Sequence, residues 1–143
     1  GGIRTPIMLR WPGKIAPKKY DNLISSIDLA PTMLAACGIE KPKAMPGENL
    51  LPLIEDGKPI ERDAIFGEIF AHDVADIDNP AESLQYRWVI EGDWKLIVAH
   101  PSGAAELYDL DKDPHEEMNV AKEHQEIVKR LHARLDKWWK PTE

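Results

Sequence analysis

The sequence predicts an α+β fold, a small antiparallel sheet of about four strands packed against a long C-terminal helix, preceded by a strand and a helix that cannot enclose a core by themselves. Three observations carry this reading. Short segments between Ala64 and Asp109 read as strands set off by turn residues, and Tyr86 to Ile90 alternates across the pleat. Ile127, Val128, Leu131, Leu135, Trp138 and Trp139 recur at helical spacing, with Lys129, Arg130, Arg134 and Lys137 between them. Charge also divides the chain: residues 1–60 carry 8 basic and 6 acidic residues, and residues 61–143 carry 10 and 19. The break falls in Glu55-Asp56-Gly57-Lys58-Pro59, a polar stretch of the kind that joins units, so the expected pieces are 1–60 and 61–143.

In the first piece, Pro6 to Trp11 reads as an extended run that Pro12-Gly13 turns away. Ser25-Ser26-Ile27-Asp28 offers a helix start, with Asp28 as the expected N-cap because its carboxylate accepts backbone N–H groups and suits the positive end of the helix dipole. Pro31 falls in the first turn, where its missing N–H does little harm, and Gly38 stands where a helix C′ residue belongs. In the second piece, Ala64–Ala71, Leu84–Glu91, Trp94–His100 and Glu106–Asp109 read as strands, with a turn at Glu91-Gly92-Asp93. Alternation places Tyr86, Trp88 and Ile90 on one face and Arg87 and Val89 on the other. The terminal amphipathic helix covers that sheet and stops before Pro141.

Composition excludes several function classes. The 143 residues suffice for one domain, or for a small domain plus part of another. A formal net charge of −7 without a basic patch argues against nucleic acid as partner, and no apolar run reaches the ~18 residues of a membrane span. One cysteine, Cys37, excludes an internal disulfide and a cysteine-rich zinc site. The opening Gly1-Gly2, running at once into Ile7-Met8-Leu9, reads as a cut within an ordered region.

No complete active site can be assembled from the remaining residues. Asp109, Asp111 and Asp113 are spaced like the start of a calcium loop, but Pro114 stands where the loop needs Gly and Val120 where it needs Glu, so a solvated turn at Asp113-Pro114 is expected. His124 and His132 lie two helical turns apart, too far for one metal ion. Cys37 falls at a helix C-terminus, where the dipole disfavours a thiolate, and reads as a buried core thiol. Trp138 continues the apolar stripe and reads as core, while Trp139 is the less settled of the pair, with sugar stacking as the other use of tandem tryptophans. His72 is the candidate binding residue, because it follows a strand and opens the long acidic loop Asp73–Ser83.

Taken together, Gly1-Gly2-Ile3-Arg4-Thr5-Pro6, Arg10-Trp11-Pro12-Gly13-Lys14-Ile15, Ser26-Ile27-Asp28-Leu29-Ala30-Pro31-Thr32 and Gly47-Glu48-Asn49-Leu50-Leu51-Pro52-Leu53 closely resemble consecutive motifs of the type I sulfatases. Gly92-Asp93-Trp94-Lys95-Leu96-Ile97, Glu106-Leu107-Tyr108-Asp109-Leu110 and Asp113-Pro114 through Asn119 continue the match in order. The resemblance implies the C-terminal third of such an enzyme: residues 1–60 as the end of its α/β catalytic domain, and 61–143 as its C-terminal subdomain. It also implies sulfate-ester hydrolysis by a formylglycine made from Cys or Ser in a C/S-x-P-x-R motif, with calcium held by acidic residues and an amide, all upstream of Gly1. Cys37, followed by Gly38-Ile39-Glu40-Lys41, has neither the Pro nor the Arg of that motif. By the same resemblance the fragment holds no catalytic or metal residue and is inactive alone. Its partners are the missing N-terminal catalytic domain and a sulfated substrate, and the location is extracytoplasmic: periplasmic, secreted or lysosomal.

Arg4 is expected to form an internal pairing, and His72 with its loop to help select the alcohol portion of the substrate. Without its sheet partners, the first piece is expected to self-associate or stay mobile. Two other readings stand beside this one: a non-catalytic carbohydrate- or protein-binding domain, and a fragment of a related phosphodiester or phosphonate hydrolase. Residues 1–60, which keep catalytic-domain motifs, weigh against the first, and the upstream nucleophile decides the second.

Overall fold

A strand needs a neighbour to take its backbone hydrogen bonds, and this requirement separates the two parts of the chain. The computed structural model describes residues 5–73 and 75–141, which divide into two units between Asp63 and Ala64. Arg4 and its expected pairing lie outside the described residues.

In the N-terminal unit the expected extended run over Pro6–Trp11 joins no sheet; no described residue of this unit is in a strand, so nothing there completes its ladder. The turn after it does form, with the N–H groups of Lys14 and Ile15 donating to the Trp11 carbonyl at 3.1 and 3.0 Å. A 3-10 turn, Ser26–Asp28, leads into α1 (Leu29–Ala36). The helix ends on Gly38 at φ +69°, where Gly38 N–H donates to Ala35 and Ile39 N–H to Leu34, the paired bonds of a Schellman motif. A second helix, α2 (Leu51–Asp56), was not foreseen, because its six residues are too few for periodicity to register. Pro52 in its first turn and Gly57 at φ +70° just past its end are the local signals.

The C-terminal unit is a four-stranded antiparallel meander in the order β1 (Ala64–Phe70), β2 (Leu84–Glu91), β3 (Trp94–Ala99), β4 (Ala105–Asp109), with α3 (Gln125–Trp138). Register follows the expected alternation: Phe66 pairs with Val89, Val89 with Leu96, and Leu96 with Leu107, all on one face. Leu131 and Leu135 of α3 pack on that face with Val89, Leu96, Val98 and Leu107. Each such fully buried side chain contributes roughly 1.5–3 kcal/mol, so this layer holds the unit together. Gly67 pairs with Trp88, whose ring lies where a Cβ would be, 2.3 Å from Cζ2, so this strand position admits no side chain.

Ionic contacts tie α3 to β2. Glu91 receives Arg130 and Arg134. Arg87 donates to Asp136 Oδ1 at 3.0 Å and to the Trp139 carbonyl at 2.5 Å, placing a cation at the negative end of the helix.

Candidate functional site

The candidate loop is built by the end of β1. A register shift between Ile69 and Phe70 breaks the regular ladder, and Ala71 N–H then donates to the Ser83 carbonyl at 2.7 Å, closing the loop at its base. Buried Ser83 holds the interior through its hydroxyl, which accepts from Ala75 N–H at 2.8 Å. Asp76 accepts from Asp78 N–H at 2.8 Å, an Asx turn, and the 3-10 turn Pro80–Ser83 returns the chain to β2. His72 is exposed at the mouth of this loop and makes no hydrogen bond or ion pair among the described residues. Asp73, Asp76, Asp78 and Glu82 surround it in sequence and give the loop a negative field. That field suits contacts to neutral hydroxyl groups and opposes direct capture of a sulfate anion.

A second feature lies at the C-terminal end of α3. Phe66 of β1 and Trp138 stack at 5.3 Å between centroids with 15° between planes. Trp139 meets Trp138 edge-on at 6.4 Å and Phe70 at 6.2 Å, so four rings form one chain of contacts. The expected ranking of the tryptophans is reversed. Trp138 is 42% exposed although it continues the apolar stripe, and Trp139 is half-buried. The reason is local: Trp139 leaves the helix at φ −160°, ψ 122°, with its carbonyl on Arg87, and its ring comes back to Phe70.

The acidic turn Asp109–Asp113 is occupied internally. Asp109 pairs with Lys112 at 2.6 Å, and Asp113 accepts from the N–H groups of Glu117 and Met118 at 3.1 and 2.8 Å. These backbone donors hold the Asp113 carboxyl below the usual carboxylate range. The Asp113–Glu116 turn forms as expected, with Glu116 N–H on the Asp113 carbonyl at 3.1 Å. His124 packs its ring against Trp94 at 5.1 Å, and His132 lies 3.5 Å from Asp136. Among the described residues no group of three His, Cys, Asp or Glu side chains is placed to hold a metal ion. Cys37 is exposed, which corrects the expected core thiol: it stands at the C-cap of α1, past the last turn that packs.

Two polar centres were not foreseen. The first is Asp28, fully buried, which takes the N-cap position but does not cap α1. Its carboxylate accepts from Ser25 N–H at 2.7 Å and Glu48 N–H at 2.8 Å, and receives both nitrogens of Arg62 at 2.6 and 2.7 Å. Burial pushes this carboxyl up, but Arg62 and the two backbone donors outweigh it and leave it below the ordinary value. Gly47, at φ +90°, lets the chain reach this point, since a Cβ there would lie 2.3 Å from the Ile27 carbonyl oxygen. Thr32 extends the centre by donating to the Asp28 carbonyl at 2.6 Å and accepting from Leu50 N–H at 2.9 Å. The Ser25-x-x-Asp28 spacing was the available signal for part of this arrangement; Arg62, 34 residues away, had none.

The second centre lies on the sheet face opposite α3. Lys95 and Glu116 form a buried ion pair, with Glu116 in the left-handed region at φ +60°. Tyr108, on the same face, donates to Glu106 at 2.7 Å, and burial together with that carboxylate pushes its phenol up to about 12.

Comparison with known proteins follows the whole chain. The family model for N-sulphoglucosamine sulphohydrolase, C-terminal, matches residues 1–140. An N-acetylgalactosamine-6-O-sulfatase of Bacteroides thetaiotaomicron is 29% identical over 94% of this chain and 27% of its own length. A structure from work on metabolism of multiple glycosaminoglycans by Bacteroides thetaiotaomicron superposes with TM-score 0.69 at 27% identity, covering 85% of this chain and 28% of that one. Another, solved with its substrate D-glucosamine-2-N,6-O-disulfate, superposes with TM-score 0.61 at 27% identity, covering 77% and 22%. The chain thus spans about a quarter of the length of the relatives it matches.

Proposed function

The chain belongs to the sulfatase family, as the C-terminal portion of one, and from that premise we propose that its full-length polypeptide hydrolyses sulfate esters of carbohydrates. The match of one family model across residues 1–140 carries this reading. Relatives acting on sulfated amino sugars support the carbohydrate class. Residues 1–60 are assigned to the end of the catalytic domain and residues 61–143 to the C-terminal subdomain. The N-terminal catalytic domain of the same polypeptide supplies formylglycine and calcium, and with them the nucleophile and the charge that binds sulfate. This chain contributes no catalytic residue. The polypeptide is assigned to an extracytoplasmic compartment, in keeping with the family; among the described residues no helix is long and apolar enough to cross a membrane.

Within this assignment, His72 contacts the alcohol portion of the substrate. It is exposed at the mouth of a loop tied at its base by Ser83, and its acidic neighbours favour hydroxyl contacts over sulfate contacts. The full-length polypeptide is expected to cleave both an aryl sulfate and sulfated amino sugars, and to lose both activities when the Cys or Ser of its C/S-x-P-x-R motif is replaced. Faster turnover of a phosphonate or phosphodiester than of any sulfate ester would overturn the reading in favour of the related hydrolases. Loss of one hydrogen bond in His72→Ala is expected to raise KM for a sulfated sugar roughly 2–10-fold while leaving aryl sulfate turnover unchanged. An equal effect on both substrates would remove His72 from that role.

A further inference from the structure

The aromatic end of α3 is not used by this reading, and its chemistry is specific. Leu131 and Leu135 on the same stripe are fully buried, whereas Trp138 leaves 42% of its surface in water. The near-parallel stack on Phe66 fixes the indole plane, so a ligand covering the exposed part meets a rigid surface and loses little side-chain freedom in doing so. Charge at this end is opposite in sign to the rest of the unit. Lys137 and Lys140 are both exposed, and neither is in an ion pair among the described residues. The neighbouring carboxylate of Asp136 is already taken by Arg87. Glu68, on the Phe66 face of β1, is the opposing acid, a group suited to accept sugar hydroxyls.

We propose that Trp138, backed by Phe66 and flanked by Lys137 and Lys140, is an auxiliary site for a sulfated saccharide chain, separate from the residues that cleave it. The indole covers the apolar C–H face of a pyranose, and the two ammonium groups meet sulfates on the same or adjoining units. An anionic polymer is repelled by the acidic loop at 73–82 and by the remaining charge of residues 61–143, where acids outnumber bases 19 to 10. Within residues 61–143 this makes the cationic aromatic end the part of the surface most favourable to such a chain. A neutral glycan would have no use for the lysines, and an apolar protein segment no use for unpaired cations beside the rings.

The inference rests on the carbohydrate-sulfatase reading, and two separate readouts distinguish their failures. Binding of the full-length polypeptide to immobilised heparin, chondroitin sulfate and a sulfated galactan is measured without reference to turnover. The kcat/KM for a small aryl sulfate is measured alongside. Trp138→Ala is expected to weaken polymer binding about tenfold, Trp138→Phe less, and Lys137→Ala with Lys140→Ala about fivefold, all with aryl sulfate kcat/KM unchanged. The exposed lysines test the site even where Trp138→Ala unfolds, which thermal unfolding reveals. No binding of the wild type to any of the three polymers, or unchanged binding in both the Trp138 and the lysine variants, would overturn the proposal. So would an effect of the lysines alone, which means charge without stacking, or loss of a dimer in Trp138→Ala with polymer binding intact, which means that a second copy covers the ring. Polymer binding that follows the expected pattern in a protein inert toward every sulfate ester would instead sink the sulfatase reading and leave this site standing.

Discussion

The two units are stabilised by different means. The C-terminal unit has a closed apolar layer in which Val89, Leu96, Leu107, Leu131 and Leu135 are all at 0% exposure. The N-terminal unit centres instead on a buried carboxylate, Asp28, that binds the nearby Ser25 N–H together with the remote Glu48 N–H and Arg62. Its apolar side chains are less well covered: Met8, Ile27, Met33 and Ile39 are exposed. Short helices bury too little area to close a core, so directional polar bonds hold the segments where apolar contact cannot. A unit can thus be ordered around one buried ion pair while several of its large apolar side chains stay exposed.

That contrast can be broken by experiment in the full-length polypeptide. The largest effect is expected from Asp28→Ala, which leaves Arg62 and two N–H donors without their partner and destabilises by about 3–5 kcal/mol. Amide exchange should accelerate across residues 5–63 and stay slow in 64–141; equal acceleration in both would abolish the distinction between the units. Leu131→Ala, at a fully buried site, is expected to destabilise by about 2–5 kcal/mol with the opposite regional pattern. Gly67→Ala drives a methyl into the Trp88 ring and should destabilise the C-terminal unit by about 1–3 kcal/mol, read as an earlier unfolding midpoint and altered tryptophan emission.

The smallest effect concerns pH. The Asp28 carboxyl titrates below its ordinary value of 3.8 when folded, so its contribution is complete above that value and is lost as pH falls through the lower folded one. Acid is therefore expected to release the N-terminal unit through this site, and Asp28→Asn to flatten that part of the pH profile. An unchanged acid limb in Asp28→Asn would show that other carboxylates govern it.

Legibility in the sequence followed the range of the interactions. β2 matches its expected bounds, Leu84–Glu91, and β1, β3 and β4 differ from theirs by one residue at one end, because alternation and turn residues are local signals. The Gly38 helix stop was readable for the same reason. The run at Pro6–Trp11 misled because an extended pattern says nothing about whether a neighbouring strand exists. Trp138 misled because helical spacing gives the direction of a side chain but not how far the covering sheet extends. Of the candidate loop, the bounds and the exposed position of His72 were legible; the Ser83 tie and the aromatic chain were not, since each depends on which strands pair.

Legible without the fold are the α+β order of elements, the two faces of β2, and the family, whose motifs run in order along nearly the whole chain. Local periodicity and turn chemistry suffice for these. Folding settles that Arg62 neutralises Asp28, that Lys95 and Glu116 are buried together, and that Trp138 is more exposed than Trp139. Each of these joins residues from segments remote in sequence or turns on where a packed surface ends, and the chain must be folded before the geometry that decides them exists.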